Sequence, residues 1–178
     1  MERVVAERTD NMNLRKRLGS VLEGNVVVMG IGNPSRGDDA AGSRIAQQIC
    51  RAPGVCVIDA QDVPENYLCR VADHRPETIV LIDCVDMKSA PGSVAHLDME
   101  KDRTAAYWPS THRAPLGLLV DYLERTTRAR VFLLAIQPRQ TGLFEPMSAE
   151  MLSSVESVAD LLNDVFETRR IAAGEVPA

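Results

Sequence analysis

The stretch VVVMGIGNPSRGDDAAGSRIAQQI, Val26 to Ile49, holds a β-branched apolar run, a glycine-rich corner with two adjacent aspartates, and a helical pattern. Four consecutive apolar residues bounded by glycine predict a buried strand, and the alanine-rich segment after the aspartates predicts a helix packed against it. The same alternation repeats along the chain. GVCVIDA and ETIVLIDCV read as further buried strands, GSVAHLDM as an edge strand, and ARVFLLAIQP as another buried strand. Between them, PENYLCRVADH and APLGLLVDYLERTT read as helices, and SAEMLSSVESVADLLNDVFETRR closes the pattern as a long one. Leu14, Leu18, Val21 and Leu22 share a helical face ahead of the first strand. The expectation is an α/β fold: a three-layer α/β/α sandwich around a mostly parallel, twisted sheet of about five strands.

The corner decides what such a sheet would bind. Gly30 and Gly32 begin a dinucleotide fingerprint, but its third glycine position is Ser35. A phosphate-binding loop would end in Gly-Lys-Ser or Gly-Lys-Thr, and here Gly37 is followed by Asp38 and Asp39. Two carboxylates repel phosphate at the helix end that should attract it. One of the two aspartates is expected to cap the helix, and two are more than a cap requires. Gly37 is expected to let the turn bend, and Gly42 to let the helix sit close to the sheet. An acidic corner at a strand end suits a cation.

The 178 residues fit one domain, 1–178, with an N-terminal helical extension over 1–24 and a flexible tail over 170–178. Twenty basic against 25 acidic residues give a net charge of −5, which argues against a nucleic-acid partner. No apolar stretch approaches membrane-spanning length, and the opening MERVVAERTDNMNLRKR lacks a signal-peptide core, so a cytoplasmic location is expected. Cys50, Cys56, Cys69 and Cys84 form no C-x-x-C pair and are read as free, buried thiols.

Parallel sheets bind at the carboxyl ends of their strands. That rule selects the corner, the end of the IVLI run at Asp83, and the loop WPSTHRAP with His112. Asp83 alone could equally bond a neighbouring turn. His74 and His96 read as ordinary surface residues. Two carboxylates and one imidazole on one rim are a plausible set for a divalent transition metal with positions left open. No H-E-x-x-H helix is present, which excludes a zincin.

These residues resemble the nickel–iron hydrogenase maturation proteases. Gly32-Asn33 followed by Asp38-Asp39-Ala-Ala-Gly42, the strand end LIDCVDM, the segment STHRAPLGLLVDYL and the block FLLAIQPRQTGLFEPMS carry the likeness, in order, from about Val26 to Leu162. The last block is similar to the hydrogenase 3 branch, which serves formate-hydrogenlyase-like complexes. The resemblance implies an endopeptidase that removes the C-terminal extension of a nickel-loaded hydrogenase large-subunit precursor. It implies Asp39, Asp83 and His112 as metal-binding and catalytic residues, and nickel supplied by the substrate, with other divalent ions able to take its place in crystals. Asp59, with Asp38, falls on the substrate side. The residues after Asp59 are Ala60-Gln61-Asp62 rather than the family's glycine pair, so Asp59 could instead belong to the local turn.

Two other readings compete. A non-catalytic nickel checkpoint or chaperone would share the metal site and lack cleavage. GIGNP also resembles the start of peptidyl-tRNA hydrolase, but RGDDAAGS stands where that family needs a Thr-Arg-His-Asn block. No Ser–His–Asp arrangement is apparent. Nickel as a Lewis acid, or nickel as a docking element beside a carboxylate base, both remain open.

Overall fold

A computed structural model describes residues 11–107, 115–172 and 174. The strands are β1 (Val26–Ile31), β2 (Val55–Gln61), β3 (Thr78–Cys84), β4 (Val94–Asp98) and β5 (Arg130–Ile136), in the sheet order β2-β1-β3-β5-β4. β1, β2, β3 and β5 are parallel, and β4 pairs antiparallel with β5 at the edge. The helices are α1 (Asn11–Val21), α2 (Ala41–Gln48), α3 (Leu68–Asp73), α4 (Leu116–Thr127) and α5 (Ala149–Ala172). Short 3-10 turns lead into α2 (Gly37–Ala40) and α3 (Pro64–Tyr67); the second lies in PENYLCRVADH, which the sequence reads as helix throughout.

Strand side chains alternate between faces, so each buried strand feeds two cores. Val27, Met29, Leu81 and Leu133 face α3 and α4, where Val71, Leu119, Val120 and Leu123 meet them. Val26, Val28, Ile82 and Leu134 face α1, α2 and α5, where Leu14, Leu18, Ile45, Val155 and Leu162 meet them. The sandwich expected from the alternating pattern is the observed architecture. Among the described residues no helix is long and apolar enough to cross a membrane.

The connections position the site. From β1 the chain goes to β2 on one side, and from β2 it crosses to β3 on the other. In sheets wound this way the ligand crevice lies where the strand order reverses, here between β1 and β3 at their carboxyl ends. The start of α2 sits directly on this place. A Cβ on Gly42 would lie 2.2 Å from the Ile31 carbonyl oxygen and 2.3 Å from that of Ile82, and one on Gly30 would lie 2.0 Å from the Gly42 oxygen. Only glycine at both positions lets the helix rest backbone to backbone on β1 and β3. Asp39, two residues before α2, is thereby held at the crevice.

Candidate functional site

The corner after β1 runs through Gly32-Asn33-Pro34-Ser35-Arg36 into the 3-10 turn, where Gly37 takes φ +53° and makes the bend. Asp38 and Asp39 follow, 0% and 1% exposed. Neither side chain caps α2, contrary to the sequence expectation. The physical reason is a loop that arrives from a hundred residues away. The Asp38 carboxylate accepts hydrogen bonds from the backbone N–H groups of Arg139 (2.7 Å), Gln140 (3.2 Å) and Ser148 (2.7 Å) and from the Ser148 hydroxyl (2.9 Å). The Asp38 N–H donates back to the Gln140 carbonyl at 2.9 Å. Ser148 in turn accepts from the Met151 N–H at 3.3 Å, as an N-cap of α5 does. Asp38, placed on the substrate side by resemblance, is a buried clamp between the corner and the 137–148 loop, accepting four hydrogen bonds from it.

Asp39 turns the other way. Its carboxylate accepts the Asn33 N–H at 3.1 Å, while the Asn33 side-chain amide donates to Asp62 at 3.1 Å. Asn33 thus ties the acidic corner to the end of β2. Asp83 pairs in register with Ala135, one residue before the end of β3, and is 0% exposed. By alternation it lies on the α4 side of the sheet, with Leu81. His112 lies outside the described residues; the described chain resumes at Pro115, which opens α4 in that same layer. Among the described residues, no group of three or more His, Cys, Asp and Glu is placed to hold a metal.

Cys84 ends β3 beside this corner. Burial pushes its thiol well above the usual range, and the negative charges of Asp83, Asp39 and Asp38 push it further. All three carboxylates therefore act on one sulfur, from two different strand ends. The thiol donates to the Asp38 carbonyl oxygen at 2.9 Å. It stays protonated and carries no nucleophilic thiolate. Cys84→Ser keeps the donor and is expected to leave peptide processing within about twofold of wild type; complete loss in a folded variant would restore Cys84 as a nucleophile. The other thiols correct the sequence reading: Cys50 and Cys69 are exposed and Cys56 is half-buried.

Asp59 is half-buried and accepts from the Gln47 side chain at 2.7 Å and the Gln61 N–H at 3.3 Å, so it braces α2 and the local turn. His96 is no ordinary surface residue. Its ring stacks on Phe132 with centroids 5.1 Å apart, and burial lowers its pKa to about 4, so it is neutral near pH 7. An alternating pattern marks the edge strand, but the buried Phe132 on β5 determines what its half-buried face meets. His74 is half-buried too, its ring nitrogen 3.4 Å from the Gly54 carbonyl.

Gln137 is a positioning residue that the sequence reading does not single out. Its side-chain oxygen accepts from the N–H groups of Met87 (2.7 Å) and Ser89 (3.2 Å), and its amide nitrogen donates to Asp86 (3.3 Å). It fastens the loop after Asp83 to the end of β5. The Gln-Pro pair closing the last strand run is the signal that could have found it.

Comparison with known proteins agrees with this architecture. A family profile described as hydrogenase maturation protease matches residues 41–165, beginning two residues after Asp39. The hydrogenase 3 maturation protease of Escherichia coli strain K12 is 33% identical over 134 residues, covering 74% of this chain and 85% of that one. A putative hydrogenase maturation protease of Methanocaldococcus jannaschii is 31% identical over 157 residues, covering 83% and 91%. The crystal structure of a NiFe hydrogenase maturation protease from Thermococcus kodakarensis superposes with a TM-score of 0.76 at 30% identity, over 85% of this chain and 99% of that one. With a family profile spanning most of the domain and relatives matched nearly end to end, the chain belongs to the hydrogenase maturation protease family of endopeptidases.

Proposed function

We propose that this protein removes the C-terminal extension from the large-subunit precursor of a NiFe hydrogenase, and that it reads the nickel the precursor already holds. One observation carries the reading: Asp39 and Asp83 are buried just after β1 and at the end of β3, where the winding of the sheet reverses. Gathering like charges out of water is costly, and a divalent cation offsets that cost. The donor chemistry fits: carboxylate oxygens with one imidazole suit a borderline divalent ion. The proposed ligand set is Asp39, Asp83 and His112. Nickel is here the substrate's cargo, and three ligands leave positions for the precursor's own groups. Once bound, the ion would polarise the scissile carbonyl.

The chain's own residues do the rest. Burial keeps bulk water from the two carboxylates and strengthens their pull on a cation. The Asn33 amide fixes the Asp39 oxygen, and Gln137 fixes the loop behind Asp83. A carboxylate of the corner serves as general base toward the attacking water. Asp59, at the end of β2, is proposed to meet the substrate beside the site.

The test uses purified large-subunit precursor, with and without nickel, and follows loss of the extension by mass. Cleavage confined to the nickel-loaded precursor supports the reading. Equal cleavage of both forms rules out nickel sensing. Binding of the loaded precursor without cleavage would make the protein a checkpoint module.

A further inference from the structure

The 137–148 loop that Asp38 clamps ends in an apolar tip. Leu143 is 57% exposed and Phe144 82% exposed, side by side in sequence. Phe144 also holds φ +62°, a left-handed conformation that is strained for a non-glycine residue. The surroundings enforce this. The Phe144 N–H donates to the Ser35 carbonyl at 2.7 Å, and the Ser35 N–H donates to the Asn33 side chain at 2.9 Å. The Gln140 side chain donates to the Pro146 carbonyl at 2.7 Å, and the Gly142 N–H to the Glu145 carboxylate at 2.9 Å. A Cβ on Gly37 would lie 2.9 Å from the Gln140 carbonyl oxygen, so loop and corner are packed as one unit. A large aromatic is thus fixed in water, under strain, one hydrogen bond from the corner that holds Asp38 and Asp39.

We propose that Leu143 and Phe144 are an apolar anchor for the precursor polypeptide, taking apolar side chains of the protein substrate as it enters the acidic corner. The inference rests on the proposed function, because it identifies the occupant as that substrate. Two reasons favour this occupant over a second copy of the chain. The tip is continuous with the corner, so a polypeptide reaching the corner passes it. It is also small: two such side chains bury roughly 300 Å², short of the about 800 Å² per partner of a stable interface. Such a patch adds affinity to a partner already held next to it.

Phe144→Gly removes the ring and relaxes the backbone, so the fold is kept. With nickel-loaded precursor it is expected to raise KM about tenfold, and Leu143→Ser combined with Phe144→Gly more than tenfold, with the loss confined to KM. The control is Ile171→Ser, an exposed apolar residue at the opposite end of α5, about 34 Å along the helix from Ser148. It is expected to match wild type. Cleavage by wild type with an unchanged KM in both tip variants overturns the anchor and leaves the proposed function standing. A wild-type protein that neither binds nor cleaves the precursor overturns the proposed function, and the anchor with it. Sedimentation of the free proteins covers the remaining occupant: a wild-type dimer made monomeric by Phe144→Gly would assign the tip to a second copy and overturn the inference.

Discussion

Asp83→Asn is expected to lower processing of a nickel-loaded precursor at least about 100-fold while the protein melts within a few degrees of wild type. Asparagine keeps the shape of the side chain and removes the charge. Asp83 pairs with Ala135 of β5, and Ile82 before it pairs with both β1 and β5, so the strand is held in place. What is lost is one of the two carboxylates proposed to draw the cation, and with it half of their negative charge. His112→Ala is expected to fall in the same range, by deletion of the proposed imidazole ligand. The measurement is the rate of extension loss by mass, paired with a thermal melt. Processing at the wild-type rate in Asp83→Asn would remove that residue from the site.

The largest effect on stability is expected one residue before Asp39. Asp38→Ala deletes an acceptor that serves three N–H groups, one buried and two part-buried, and one buried hydroxyl. Donors left unpaired cost about 1–3 kcal/mol each. Part of this is recovered by water entering the gap, so a total of about 3–5 kcal/mol is expected, or roughly 10 °C in melting temperature for a chain of this length. Asp38→Asn is expected to do nearly as badly. Its amide nitrogen would point a donor at donors. Both variants should also lose activity, because Arg139, Gln140 and Ser148 belong to the loop that walls the corner. A thermal melt that leaves Asp38→Ala within two or three degrees of wild type would show that the clamp is not what holds the loop.

These two neighbours illustrate how far the sequence could be read. The architecture was legible because its signals are local and repeated: VVVM, IVLI and VFLLAI are buried runs, and Leu116, Leu119, Val120 and Leu123 share one face of the helix before the last strand. Gly42 was legible for the same reason, since a glycine at the start of a helix beside a strand signals close approach. The role of Asp38 was not. An acidic pair before a helix looks locally like a cap, and nothing nearby in sequence announces that Arg139, Gln140 and Ser148 will reach it first. His96 was misread for a related reason. Alternation shows that a residue lies on one side of an edge strand, but the stacking partner Phe132 comes from another strand. The topology rule for parallel sheets pointed to the strand ends that carry the acidic corner and Asp83, whereas the choice of Asp39 over Asp38 came from the family resemblance.

The pair Asp39 and Asp83 is also where a direct observation matters most. Crystals soaked in nickel, examined by anomalous scattering, would show where the ion settles. The expected result is a single strong peak in the β1/β3 crevice, about 2.0–2.2 Å from a carboxylate oxygen of Asp39, a carboxylate oxygen of Asp83 and a ring nitrogen of His112. A peak elsewhere, or an empty crevice with the three side chains turned into separate regions, would contradict the assignment of this corner as the place where the precursor's metal is read.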